Sequence, residues 1–322
     1  MKRRDITAWL TAAPLGLSSW AQTPAYPDRP IKLVIPYPPG ASADAMGRLV
    51  AQKMAPPLGQ PVVVDNRSGA SGNIGSEAVA KAAPDGYTLL LGTDATHGSN
   101  VHLLANPSFH PVRDFTPLSL AVLNPIVLVV NASLPVKTLA ELIAHVKAHP
   151  QQGGFGSSGT GSPHHLAGEL LKQRTGAPLV HIPYRGGGPA LNDVLGGQLP
   201  MLFASLITVL QHIQSGRLRA LAVTSAQRFD ALPQVPTVAE TLEGFEMNSW
   251  LAFFGPARLP DAIARRLSDE IAAAVRDPDV RTKLRDGGLV PVGSTGAELA
   301  ELVRRDVEQR GRVIRAANIK PE

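Results

Sequence analysis

Residues 153–172, GGFGSSGTGSPHHLAGELLK, bring glycines and hydroxyls directly against the start of a helix. Glycines let backbone amides approach a ligand with no Cβ in the way, while Ser157, Ser158, Thr160 and Ser162 offer hydroxyls. Behind Pro163, a residue suited to the first helical position, the opening turn presents unpaired N–H groups at the positive end of a helix dipole. Such a junction suits a carboxylate or a phosphate. Leu166, Ala167, Leu170 and Leu171 recur at helical spacing, so the helix can pack by one face and leave its start open. The bland alternative is a solvated glycine-rich connector that ends where Pro163 starts a helix.

Other chemistries fit these residues poorly. Gly154, Gly156 and Gly159 spell G-x-G-x-x-G, but a dinucleotide site wants an acidic residue at the end of the next strand. The next apolar run, 179–184, ends in Pro183, Tyr184 and Arg185. No Gly-Lys-Ser or Gly-Lys-Thr follows the glycines, so a P-loop fails too. A hydrolase acting through Ser157 or Ser158 is the alternative class, although no G-x-S-x-G elbow exists. His164 and His165 are neighbours about 100° apart on a helix, which turns them away from a common metal. His145 and His149 stand at i, i+4, yet the sequence places no third ligand beside them and lacks H-E-x-x-H. Neither a metal nor a cofactor is expected.

The chain as a whole narrows the class further. Its 322 residues, 44% hydrophobic, can bury a large core and divide more naturally into two lobes than one. Net charge is +5, basic residues are scattered, and aromatics make up 5%, so the footprint of a nucleic-acid binder is missing. With no cysteine, disulfides, thiolate–zinc sites and thiol catalysis are excluded together. Lys2, Arg3 and Arg4, an apolar run broken by Pro14, and Ser19-Trp20-Ala21 read as a secretory signal over residues 1–21. No later apolar run is long enough to span a bilayer.

The elements that must position the glycine loop alternate. A strand over 31–37 runs into Pro38-Pro39-Gly40 and then a helix, with Asp44 expected as its N-cap. A second strand, 61–65, enters the run 66–75 and another helix; a third covers 87–92. Residues 125–130, 179–184, 218–224 and 250–254 are further strand candidates. Capping boxes are expected at Thr138–Glu141 and Thr295–Glu298, and Ile263, Leu267, Ile271 and Val275 form one helical stripe. Strand and helix in alternation mean βαβ units, with ligands at the carboxyl ends of the strands.

Several short words, in order, then carry a resemblance: Tyr26-Pro27-Asp28-Arg29-Pro30-Ile31; Pro38-Pro39-Gly40 with Asp44 and Arg48; Asp65-Asn66-Arg67; Pro84-Asp85-Gly86-Tyr87-Thr88; the glycine loop with His165-Leu166-Ala167; and Pro183-Tyr184-Arg185-Gly186. The chain resembles the Bug-type extracytoplasmic solute receptors of tripartite tricarboxylate transporters. That resemblance implies a type II periplasmic-binding-protein fold, two α/β domains around a ligand cleft. Residues 22–124 and 247–322 would form the first domain and 125–246 the second. It also implies a periplasmic monomer that binds a small carboxylated ligand, delivers it to integral-membrane transporter components and does no chemistry on it. Carried over by position, the ligand would meet Pro39, Gly40, Ala41, Ser42 and Asp44 in one loop and Ser157, Ser158, Gly159, Thr160 and Gly161 in the other. Tyr37, Thr93, His165, Tyr184 and Ser205 complete the expected site. Two departures bear on specificity: Ala41 replaces the usual second glycine of the first loop, and Ala204-Ser205 stand where many members carry an acidic residue.

Overall fold

A computed structural model describes residues 26–320. The signal segment expected over 1–21 lies outside the described residues. The chain runs β1 (Ile31–Ile35), α1 (Ser42–Leu58), β2 (Val62–Asn66), α2 (Asn73–Ala80), β3 (Thr88–Thr93), α3 (Asn100–Leu103) and β4 (Phe115–Asn124). It continues through β5 (Ile126–Asn131), α4 (Leu139–Ala148), β6 (Gly154–Ser157), α5 (Pro163–Thr175), β7 (Val180–Pro183), α6 (Gly187–Leu195), β8 (Met201–Ser205), α7 (Leu206–Gln214) and β9 (Leu218–Val223). Last come β10 (Ser249–Pro256), α8 (Asp261–Arg276), α9 (Pro278–Asp286), β11 (Val290–Pro291) and α10 (Gly296–Ala316).

These strands make two sheets, ordered β11-β4-β10-β3-β1-β2 and β7-β6-β8-β5-β9. In the first, β1 runs parallel to β2 and β3, and β10 runs against β3 and β4. In the second, β6 is parallel to β7 and β8, and β5 runs against β8 and β9. The central strands of each sheet, such as β3, β10, β5 and β8, are buried on both faces, as strands covered by helices on either side must be, whereas the edge strand β7 is largely exposed. Leu33 and Phe253 join one apolar cluster while Val34 and Trp250 join another; Leu128 and Val129 divide in the same way around the second sheet. The architecture is two α/β lobes. Pro125 alone separates β4 from β5 where the chain first passes between the sheets, and residues 247–248 lead it back into β10.

The long helix α10 belongs to more than one neighbourhood. Leu299 and Val303 pack with the first sheet, while Val313 and Ile314 enter the core of the second. Its expected capping box forms fully: Thr295 accepts from Glu298 N, and Glu298 accepts from Thr295 N. At α4 only half a box forms, because Glu141 reaches the Lys137 amide instead of that of Thr138.

The structure departs from the sequence reading at several points, and β8, the central strand of the second sheet, was not among the expected strands. Strand β4 was hidden by Pro117, which sits beside a register shift against Phe254, where a missing N–H can be tolerated. The stretch 154–157, expected as loop, is strand β6. Its glycines serve close packing: a Cβ on Gly156 would stand 2.7 Å from Leu199, and one on Gly168 of α5 would stand 2.2 Å from Phe155. Asp44 is not the N-cap of α1. Ala41 holds that position, and Asp44 reaches back from the first turn to accept the Gly40 amide at 2.9 Å.

Candidate functional site

A cavity of about 400 Å³ lies between loops of the two lobes. Tyr37, Ser71, Asn100 and Leu103 line it from the first lobe, and Ser158, Thr160, Gly161, Ser162 and Pro163 from the second. Lys320, beyond α10, completes the lining together with Ala95 and Leu104. No carboxylate lines it among the described residues.

The second-lobe side is built by the glycine loop. Strand β6 delivers the chain to Ser157, which is fully buried. Its Oγ accepts from the Gly159 amide at 3.1 Å and lies 2.6 Å from His181 Nε2. Gly159 and Gly161 then adopt φ of 132° and 73°, values that favour glycine. Ser162 caps α5 by accepting from His165 N, and Pro163 takes the first helical position. The Gly161 amide donates to His165 Nδ1 at 3.0 Å, so this histidine holds the loop by its own backbone. The amides of Ser158, Thr160 and His164 have no partner among the described residues. Three unpaired donors thus gather where a turn meets a helix start, an arrangement suited to an anion.

Behind that turn stands a set of neutral imidazoles. His165 stacks on His181 with ring centroids 3.6 Å apart, and Ser158 Oγ lies 2.8 Å from His164 Nδ1. His164 Nε2 continues 3.2 Å to Ser205 Oγ, which also accepts from Asn124 Nδ2 at 3.2 Å. Burial pushes the pKa of His164 down to about 4 and that of His165 to about 3. Each ring is therefore uncharged at neutral pH and can accept at one nitrogen while donating from the other.

On the first-lobe side, Tyr37 OH meets Thr93 Oγ1 at 2.8 Å, and burial raises the phenol's pKa to about 12. Asn100 Nδ2 donates to Ser71 O and Asn73 Oδ1. Ala70 and Ser71 have φ of 44° and 52° between two positive-φ glycines, Gly69 and Gly72. A run of non-glycine residues in that region costs energy and is found where the surroundings impose it.

The expected residues therefore separate. Tyr37, Ser158, Thr160 and Gly161 line the cavity; Thr93 supports Tyr37; Ser157, Gly159 and His165 shape the loop from within. Ser205 sits in the second layer behind His164. Tyr184 turns its hydroxyl to Asp193, 2.6 Å away. Pro39, Gly40, Ala41 and Ser42 are outside the lining, and Asp44 is engaged locally: it accepts from Gly40 N, Arg48 Nε and Asn66 Nδ2. The Arg48 hydrogen bond leads in holding Asp44 down to about 2. That junction is already supplied with an anion of its own. The second glycine-rich entry to a helix, at Ser71, reaches the cavity instead. Sequence reasoning singled out neither Ser71 nor Asn100 as a site residue; both follow strand ends, β2 and β3, and that position was the available signal. Lys320 left no such signal.

A second cavity, about 310 Å³, lies among Leu206, Phe229 and Leu289. Its two arginines are already paired, Arg228 with Glu240 and Arg285 with Asp230. It contains none of the glycine-loop donors, so the first cavity is the candidate site.

Comparison with known proteins agrees with that fold. The sequence model of the tripartite tricarboxylate transporter family receptor matches residues 46–319. A UPF0065 protein from the tcbD-tcbE intergenic region of Pseudomonas sp. (strain P51) is 38% identical over 97% of this chain and 94% of its own length. Protein BugT of Bordetella pertussis is 37% identical, over 96% and 95%. Among solved structures, an R. palustris protein with adipate superposes with a TM-score of 0.76 at 34% identity, covering 92% of this chain and all of that one. MatC from Rhodopseudomonas palustris with bound malate gives 0.71 at 31%, covering 90% and 100%. With a family match across most of its length and two α/β lobes enclosing an anion-suited turn, this chain belongs to the tripartite tricarboxylate transporter receptor family.

Proposed function

We propose that the protein is a monomeric periplasmic receptor that closes its two lobes on a small carboxylated ligand. It hands that ligand unchanged to the membrane components of a tripartite tricarboxylate-type transporter. In this reading residues 22–124 with 247–322 move as one body and 125–246 as the other, α10 remaining in touch with both. The observation that carries it is the turn at 158–163, with unpaired amides on a cavity that no described carboxylate lines. Adipate and malate in two related structures support the class of ligand.

The same geometry speaks against hydrolysis. Ser158 and His164 are within hydrogen-bond reach, as a nucleophile and base would be. The far nitrogen of His164, however, meets the Ser205 hydroxyl and not a carboxylate. A buried imidazolium would have nothing to stabilise it, whereas a serine triad keeps an acid there for that purpose. The hydroxyls remain ligand or loop partners.

A thermal-shift screen over small carboxylic acids tests the reading. A ligand at a hundredfold excess over Kd should add about 2.7 kcal/mol of apparent stability. Gly161→Val should weaken the responding acid at least about tenfold: φ is 73°, and a Cβ would stand 2.4 Å from Leu103 Cδ1. Saturable ester turnover that depended on Ser158 would overturn the receptor assignment.

A further inference from the structure

The cavity is lined by hydroxyls, an amide side chain, apolar groups and a single charged residue, Lys320. The placement of that lysine is not that of a loose end. Beyond α10 the chain folds back: Asn318 takes φ of 52°, its amide bonds Arg315 O at 3.1 Å, and the Ile319 amide bonds Ile314 O at 3.0 Å. These bonds close the helix in the manner of a left-handed cap. Ile319 packs against the core of the second lobe, which directs the next residue to the cavity. Lys320 forms no ion pair among the described residues, although many exposed lysines and arginines on the same molecule do.

A ligand with one carboxylate can be satisfied by the neutral donors of the 158–163 turn, since amides at a helix start compensate a single negative charge. A second acidic group on the same ligand would need a partner elsewhere, and the described lining offers one cation for it. We infer that Lys320 is a specificity-determining residue: its ammonium pairs with a second acidic group and selects diacids over monoacids of equal chain length. This rests on the carboxylate reading proposed above and adds to it a residue, a charge and a preference. Because the lysine is exposed, the interaction is a screened one that favours affinity by about fivefold and fades with added salt.

Calorimetry on matched pairs, adipate against hexanoate and succinate against butanoate, tests it in wild type, Lys320→Ala and Lys320→Arg. The expected result is a wild-type preference for a diacid that Lys320→Ala reduces about fivefold, with the monoacid unchanged and Lys320→Arg close to wild type. If the acids bind but Lys320→Ala alters neither member of a pair, or weakens both equally, the selective role is refuted while the carboxylate site stands. If wild type binds none of the four, and no other carboxylic acid shifts its melting temperature, the carboxylate reading falls and this assignment falls with it.

Discussion

The two sides of the cavity are braced by opposite electrostatics. On the first lobe, Asp94 follows directly after Thr93 and is tied into a buried ionic cluster. Its Oδ1 accepts from Ser249 Oγ at 2.8 Å, and Oδ2 stands 3.2 Å from Arg310 Nη1. Arg310, with no exposed surface, also donates from Nε to Asp306 and from Nη2 to Asn248 O, while Trp250 Nε1 donates to Asp306 at 2.8 Å. On the second lobe the groups that brace the turn are His164, His165, His181, Ser157 and Ser205, none charged at neutral pH; the acid beside them, Glu169, stands 3.9 Å from His165 Nε2 and burial pushes its carboxyl up. Charges suit a position where they can neutralise one another in the interior and pin the return strand β10 to α10. Neutral imidazoles suit the side that presents amides, because a carboxylate there would compete with an anionic ligand for the same donors. Asp44 illustrates that outcome in the first glycine-rich junction, where it takes the Gly40 amide for itself.

The comparison breaks most readily at Arg310. Two acidic side chains share this guanidinium; burial pushes the Asp94 carboxyl up, and Arg310 opposes that shift. Arg310→Met should therefore cost about 3–5 kcal/mol, because removing one partner of a buried pair strands the other. Urea denaturation would measure it. Adding Asp94→Asn and Asp306→Asn to the same protein should recover a large part of the loss. A cost below about 1 kcal/mol for the single variant is what an exposed pair would give, and it would show that the cluster is not a brace.

Lowering the pH should next load the buried imidazoles, three on the second lobe and His97 on the first. Burial holds His97 at about 3, His164 at about 4, His165 at about 3 and His181 at about 4, against an ordinary value of 6.5. Between those values the unfolded chain binds protons that the folded chain does not, so stability falls as the pH drops below 6.5 and continues to fall toward 4. For His97 and His164 the slope approaches about 1.4 kcal/mol per pH unit each. Asp44 has the same sign in another window. Its pKa is depressed to about 2, so its contribution is intact above the ordinary carboxylate range and is lost only as the pH falls from there through 2. Denaturation curves from pH 7 to 4 should therefore slope downward, and His164→Gln, which keeps a neutral hydrogen-bonding side chain, should flatten them by about one proton. An unchanged slope would mean that His164 is already protonated in the fold.

These two braces also mark what could be read in the sequence. The alternation of strands and helices was legible because buried strands such as IVLVV and amphipathic helices such as α8 have their own periods, and the turn at 157–163 was legible because Gly, Ser and Pro act locally. Strand β6 was missed because glycine, needed there for the close approach of Leu199 and Ala190, carries no strand signal. The ionic cluster joins residues more than 200 positions apart, Asp94 to Arg310, and no local pattern announces such a pair. The first glycine-rich junction looks like the second in composition, yet an aspartate within the first turn fills one of its donors. Lys320 reaches the cavity only because a helix cap and the burial of Ile319 send it there.

The smallest effect should come from the hydroxyl that looks most chemical. Ser158 Oγ has one protein partner, His164 Nδ1, so Ser158→Ala should cost on the order of 1 kcal/mol, the value of a neutral hydrogen bond. Binding of a carboxylic acid should change less than about fivefold, because the backbone amides of 158 and 160 remain. Ser157→Ala offers the sharper contrast. Ser157 is fully buried and away from the cavity lining, but its Oγ bonds Gly159 N, Gly159 O and His181. Its loss unpins the turn that aims those amides, and it should weaken binding more than Ser158→Ala even though Ser158 is the residue on the cavity. Titration calorimetry of the two variants against the acid that most stabilises wild type decides the order. If Ser158→Ala proves the more damaging, the side chain and not the shaped backbone carries recognition, and the imidazole brace serves that hydroxyl instead of the turn.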